Sequence, residues 1–227
     1  MKEFKPNTGF TGWGTENGTP YCLIANLKFK ACCGTNVCGT CGKGYVDQAW
    51  KYWVDHGLVS GGDHNSNEVS TTGTTFLIRR FLNKGGLPYL DTNSHACQTS
   101  CTNTNYTKSY RADKHYGKEY YRLSNAVEQI QTEIMNHGPV EVTFTVYTDF
   151  YNYKSGVYVH TSGYANEGHA VKVIGWGTEN NTPYWLIANS WGTGWGDLGG
   201  FFKRLRGQNH CGIESVVYGG TPVRYYG

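Results

Sequence analysis

His169 and Asn189 stand twenty residues apart, and both side chains are suited to chemistry. An imidazole exchanges protons near neutral pH, and an amide oxygen can hold that ring in one tautomer and orientation. Between them lie two apolar runs, Ala170 to Ile174 and Tyr184 to Ala188, separated by a stretch rich in Gly, Asn and Pro. That is the pattern of a β-hairpin. A hairpin brings its ends together, so His169 at the start of one strand and Asn189 at the end of the other are expected as neighbours. A single His in a strand is more often structural than catalytic, so the residues around it decide the reading.

Those residues match in order: Asn166-Glu-Gly-His169, Asn189-Ser-Trp191-Gly, Trp195-Gly-Asp197, Gly200-Phe-Phe-Lys203 and Arg206-Gly-Gln-Asn-His-Cys-Gly-Ile-Glu-Ser215. The run resembles the right-hand half of the active site of papain-family cysteine proteases, and their cathepsin B-like branch in particular. The resemblance covers about Cys32 to Tyr218, weakly between Asp63 and Ser94. It implies that His169 is the catalytic base, that Asn189 orients it and that Trp191 covers the pair from water. It adds Gly168 as a substrate contact, with Lys43 and Gly44 where relatives carry two glycines whose backbone pairs with extended substrate. A side chain at Lys43 would crowd that cleft. Relatives that accept Arg in the main pocket carry a Glu two residues after the Glu of the Cys-Gly-Ile-Glu-Ser run. Val216 stands there, which implies an apolar preference.

The nucleophile is the missing part. In cathepsin B relatives a Gln and then a Gly-Ser-Cys-Gly-Ser-Cys-Trp run precede the Cys-Cys-Gly motif, and the reactive Cys opens a long central helix. At a helix N-terminus the dipole and an adjacent imidazolium keep such a thiol ionised. Residues 1 to 31 hold no Cys followed by Trp and a helical pattern. Instead, Gly12 to Asn26 repeats Gly175 to Asn189 at thirteen of fifteen positions, differing at Gly18 against Asn181 and Cys22 against Trp185. The copy is either an internal duplication or a misassembled transcript, since one isolated repeat cannot build a repeat architecture. It would compete with the resident hairpin for the same backbone partners, a domain-swapping or aggregation hazard in an otherwise monomeric chain. Cys41 is a poor substitute nucleophile, because the resemblance puts it on the far wall of the left-hand domain.

The elements that must position these groups follow from periodicity. Tyr45 to His56 places Val46, Ala49, Trp50, Trp53 and Val54 on one helical face, with Gly57 just past the end. Ser124 and Asn125 are candidate caps for a second helix with Val127, Ile130 and Ile134 inward, stopped by Gly138-Pro139. Val140, Val142, Phe144 and Val146 alternate with polar residues as a half-buried strand. Further strands are expected at Gly156 to His160 and Gly200 to Leu205. The resemblance then implies an α+β papain-like fold: a largely complete right-hand antiparallel β-barrel domain and a left-hand helical remnant without its central helix. The corresponding boundaries are a rearranged segment at 1–30, the left-hand remnant and diverged occluding-loop region at 31–110, and the right-hand domain at 111–227. His64 and His95 are isolated, so the paired histidines that let relatives release dipeptides have no counterpart.

Composition bounds the rest. The 227 residues carry 16% charged and 15% aromatic residues, with 31 Gly and a formal net charge of +3. That charge is too small, and too unclustered, to argue for nucleic acid. No stretch approaches a membrane span, and the first ten residues lack the apolar core of a signal peptide. Eight Cys in a scatter unlike a zinc site favour disulfides in an oxidising compartment, although Cys38-Gly-Thr-Cys41 alone could be half a zinc site or a redox pair. By resemblance Cys33 pairs with Cys38 and Cys32 with Cys97, Cys211 is a buried free thiol, and Cys22, Cys41 and Cys101 lack partners. No metal or cofactor is implied. The family implies a lysosomal or extracellular location, where sequons at Asn17, Asn105 and Asn180 would be glycosylated. The resemblance makes the chain a cysteine peptidase by family, hydrolysing peptide bonds, but without a nucleophile of its own. The alternatives are a module that binds peptides or a propeptide-like inhibitor, or a fragment of a longer active form.

Overall fold

The computed structural model describes residues 39–40, 43–59, 108–189, 191 and 194–223. In chain order these form β1 (Gly39–Thr40), β2 (Lys43–Gly44), α1 (Val46–His56), β3 (Leu58–Val59), β4 (Lys114–His115), β5 (Gly117–Arg122), α2 (Val127–His137), β6 (Val140–Tyr147) and a 3-10 turn (Thr148–Asn152). Then come β7 (Val157–Tyr158), β8 (Ala165–Glu179), β9 (Thr182–Ala188), β10 (Phe201–Leu205), a second 3-10 turn (His210–Gly212) and β11 (Val217–Pro222). Two compact units divide them, and the division falls within β5 and β11. The first holds described residues from Tyr121 to Gly219, and the second holds the described residues up to Tyr120 together with 220–223.

The first unit is built on a seven-stranded sheet in the order β5-β11-β6-β8-β9-β10-β7. β11, β6, β8, β9 and β10 pair antiparallel with their neighbours. β7 is the exception to the antiparallel expectation: it runs parallel to β10, with Lys203 opposite Val157. The apolar positions read on β6, Val140, Val142, Phe144 and Val146, are all buried, but so is Glu141 between the first two, and the alternation begins only after Val142. These apolar residues join Ile130, Phe150, Trp185, Ile187, Phe202, Ile213 and Val217 in one core. The β8–β9 hairpin turns at Asn180 and Asn181, with φ of 48° and 63°. Asn tolerates this left-handed region because its short polar side chain bonds locally, and the two positions suit the tight turn that matches strand twist. Asn180 is exposed there.

Several boundaries differ from the sequence expectation. α2 has Ala126 as its N-cap, without a side-chain cap bond; Ser124 Oγ instead accepts the Ala126 N–H at 3.3 Å and pairs with the Gln129 side chain. The strand expected at Gly156 to His160 shrinks to two residues, because Gly156 has φ of 76° and His160 turns into the Asp149 cluster described below. β8 begins at Ala165 rather than Ala170, so His169 lies inside a strand and not at its start. The Gly138 stop holds, with φ of 99° and its N–H on Ile134 O at 3.2 Å.

In the second unit α1 buries Ala49, Trp50 and Trp53, while Val46 and Val54 are half-buried. The two indoles meet edge to face at 5.4 Å. They pack on backbone that only glycine permits, since a methyl at Gly117 would lie 2.6 Å from the Trp53 ring and one at Gly220 2.6 Å from the Trp50 ring. Gly57 closes the helix at φ of 67°, donating to Trp53 O at 3.1 Å. β1 pairs with β2 and β3 with β4, both antiparallel.

Candidate active site

β8 and β9 carry the two residues that the hairpin was expected to join. His169 sits opposite Phe144 of β6, and Asn189 follows the last residue of β9. The Asn189 N–H donates to Gly200 O at 3.0 Å, which fixes the chain as it leaves the sheet. His169 Nε2 then lies 2.9 Å from Asn189 Oδ1. An amide oxygen only accepts, so Nε2 carries the proton of this bond, which leaves Nδ1 as the nitrogen through which a base would act. Asn189 is buried, at 5% exposure, which strengthens the bond by keeping water from it.

Trp191 supplies the cover. Its ring stacks on the imidazole at 5.1 Å and 24°, and is itself 7% exposed. It meets Phe150 at 5.4 Å and Trp195, edge on, at 5.1 Å. Phe144 meets the imidazole edge to face at 5.8 Å. The bond to Asn189 and the aromatic contacts with Trp191 and Phe144 together fix the orientation of the ring.

The other expected contacts are placed as follows. Gly168 precedes the imidazole on an exposed stretch of β8, where an added methyl would meet nothing within 4 Å. Val216 is half-buried, and its carbonyl accepts the Thr143 N–H at 3.2 Å. Lys43 and Gly44 form β2 of the second unit, Gly44 being exposed. Cys32, Cys33, Cys38 and Cys97 lie outside the described residues, as do Cys22, Cys41, Cys101, His64, His95 and the copy from Gly12 to Asn26. Cys211 is a free, half-buried thiol at φ of 53°. Burial pushes its pKa up, against the pull of Arg204.

Sequence reasoning assigned no role to a polar group that also stacks on Trp191. Tyr151 stacks on that indole at 5.3 Å and 14°, donates its hydroxyl to Glu167 Oε1 at 2.8 Å and accepts from Asn166 Nδ2 at 2.7 Å. The register between β6 and β8 shifts here: Val146 faces Glu167 and Tyr147 faces Ala165. Asn166 is the extra residue, and such a bulge re-aims side chains, which lets two consecutive residues reach one phenol. The available signal was the spacing of Glu167 and His169, two apart on a strand and so on one face.

A second histidine forms a separate cluster. His160 Nδ1 lies 3.1 Å from both Asp149 oxygens, and its ring stacks on Tyr147 at 3.7 Å. Asp149 also accepts from Tyr158 Oη at 2.7 Å and from the N–H groups of Thr161 and Ser162 at 3.0 and 3.3 Å. Burial pushes the Asp149 pKa up, but these donors outweigh it and hold the carboxyl well below its ordinary range. Among the described residues no group of three or more His, Cys, Asp or Glu could hold a metal ion. No helix among them is long and apolar enough to cross a membrane.

Comparison with known proteins gives the family. The family described as papain family cysteine protease matches residues 28–221. Cathepsin B-like cysteine proteinase 5 of Caenorhabditis elegans is 45% identical over 215 residues, covering 91% of this chain and 61% of that protein. Cathepsin B-like cysteine proteinase 4 of the same organism is 44% identical over 213 residues, covering 91% and 62%. The chain spans about three fifths of the length of these curated relatives. Among solved structures, procathepsin B S9 from Trypanosoma congolense is similar at a TM-score of 0.69 and 34% identity, over 87% of this chain and 60% of that one. With a paired imidazole and amide under an indole, and a family match over most of its length, this chain belongs to the papain family of cysteine proteases.

Proposed function

We propose that this chain is a cathepsin B-like family member that binds peptide segments beside His169 but does not hydrolyse them by itself. The observation that carries the reading is the pairing of His169 with Asn189 under Trp191, set against a sequence in which a copy of the hairpin stands before Cys32 where relatives carry the reactive Cys and the oxyanion-hole Gln. A base without its nucleophile has nothing to activate. In a comparable hydrolase, loss of the nucleophile lowers turnover by about six orders of magnitude, and what remains leans on the oxyanion hole. The thiol of Cys211 lies 3.6 Å from His210 Nδ1, and its raised pKa keeps it protonated.

In this reading Trp191 shields the imidazole, while Gly168 and Val216 contact an extended peptide or a propeptide-like inhibitor segment. Val216 makes its pocket apolar, so a bound segment presents an aliphatic or aromatic side chain there rather than Arg. Disulfides Cys33–Cys38 and Cys32–Cys97 and a lysosomal or extracellular setting go with the family. A second reading, favoured by the preserved Nε2–Oδ1 bond, is that a longer form supplies the nucleophile and this half supplies a working base. The two separate on turnover of dipeptidyl and tripeptidyl amide substrates by the purified chain. No hydrolysis above background is expected; hydrolysis that disappears in His169→Ala would overturn the first reading.

A further inference from the structure

Glu167 is exposed two residues before His169 on the same strand, and Tyr151 ties it to the ring that covers the imidazole. Its Oε1 takes the Tyr151 hydroxyl and its other oxygen has no hydrogen-bond partner among the described residues. Asn166 holds the phenol from the other side at 2.7 Å, so hydroxyl and carboxylate are presented as a fixed pair. Tyr151 is the rigid part of this arrangement, being half-buried and stacked flat on Trp191. Burial, then the bond to Glu167, raises its pKa, so the phenol stays a neutral donor and its oxygen adds no second charge.

Position along the strands says which part of a ligand would meet this pair. Thr143 faces Ala170, the residue after His169, and donates its N–H to Val216 O. Val216 therefore lies on the flank of His169 toward Ala170, and Glu167 lies on the opposite flank. We infer that Tyr151, Asn166 and Glu167 form a cation-selecting subsite on that opposite flank, taking a Lys or Arg side chain of a peptide whose apolar side chain sits at Val216. The inference rests on the proposal that the surface beside His169 takes peptide. An aromatic face beside a carboxylate suits such a side chain twice: its aliphatic stem packs on Tyr151 while its charged end pairs with Glu167.

The test uses the full chain and fluorescein-labelled, N-acetylated hexapeptide amides that differ at one position, Lys, Leu or Glu, with that position walked along an otherwise apolar peptide. Binding is read by anisotropy at low and high salt. At one position Lys should bind about three- to tenfold tighter than Glu, the range for a partly exposed ion pair against a like-charge contact. High salt should erase the difference. Glu167→Gln should abolish the preference while leaving the Leu peptide unchanged, Glu167→Asp should keep part of it, and Tyr151→Phe should weaken it. Peptides that bind with no charge preference, or a preference that survives Glu167→Gln, would overturn the subsite and leave the binding surface standing. Absence of binding by every peptide would overturn both.

Discussion

His169 and His160 have the same outward arrangement, a ring nitrogen on a side-chain oxygen and an aromatic ring stacked on one face, yet they do opposite things. His169 bonds a neutral amide at 2.9 Å beneath Trp191, on a strand whose preceding residues from Ala165 to Gly168 are exposed. His160 bonds a carboxylate beside Tyr147, and that carboxylate is also held by Tyr158 and two backbone N–H groups. In addition, the His160 backbone N–H donates to His210 Nε2 at 3.1 Å. One ring lies beside an exposed stretch of strand, and the other is knotted into its neighbours. The acceptors differ in kind: Asn189 Oδ1 is the oxygen of a neutral amide, whereas the Asp149 carboxylate staples the 148–152 turn to the segment after β7.

The contrast should be largest in stability. Asp149→Ala leaves the buried Tyr158 hydroxyl and several N–H donors without their acceptor, so it should cost about 2 to 3 kcal/mol. His169→Ala removes a half-buried ring on an open face and should cost under about 1.5 kcal/mol. Urea unfolding midpoints of the two variants give the comparison, and equal losses would break it.

A smaller effect should appear on the acid side. The folded-state pKa of Asp149 lies below its unfolded value of about 3.9. Its contribution is therefore complete above that value and is lost as pH falls through the lower folded-state pKa. Unfolding midpoints measured down the acid limb should fall less steeply in Asp149→Asn than in the unmodified chain. His169→Ala should leave that limb unchanged.

The smallest effect concerns the cation beside the Asp149 cluster. Arg204 is 0% exposed, with its guanidinium 4.2 Å from the Phe144 ring centre and 5.0 Å from that of Tyr158. Its Nε donates to His210 O at 3.2 Å, and no carboxylate lies within ion-pair distance among the described residues. Burial accordingly lowers its pKa. Exchanging such a charge for an apolar side chain of similar volume is often neutral or stabilising, so Arg204→Met should shift stability by between zero and about +2 kcal/mol. A thermal-melt loss instead would mean that the cation helps to hold Asp149 in place.

The site's central pair was legible because it depends on local rules. Apolar runs around Asn180 and Asn181 specify a hairpin, and a hairpin has ends that meet. The apolar face of α1 and the stop at Gly138 are local in the same sense. The extra length of β8 was hidden because Ala165 to Gly168 are exposed on both faces, leaving no apolar alternation to read. β7 was overextended because Val157-Tyr158 is held by β10, a strand far along the chain. Tyr151 and Glu167 meet only once the 3-10 turn and β8 are packed on Trp191, so spacing alone could place them on faces but not in contact. Arg204 read as one more charge in a short strand, and its cage of Phe144, Phe150 and Tyr158 comes from three other elements. The disulfides that the resemblance implies lie outside the described residues.

The measurement that bears most directly on a base without a nucleophile is intact-mass analysis after exposure to a peptidyl epoxide or fluoromethylketone, reagents that alkylate an activated thiol. If the proposal holds, the unmodified chain and His169→Ala should both remain at their starting mass, since the raised pKa of Cys211 keeps that thiol protonated and the proposal leaves His169 without a thiol to activate. Stoichiometric addition of one label to the unmodified chain, lost in His169→Ala, would contradict the proposal and identify a thiol that His169 serves.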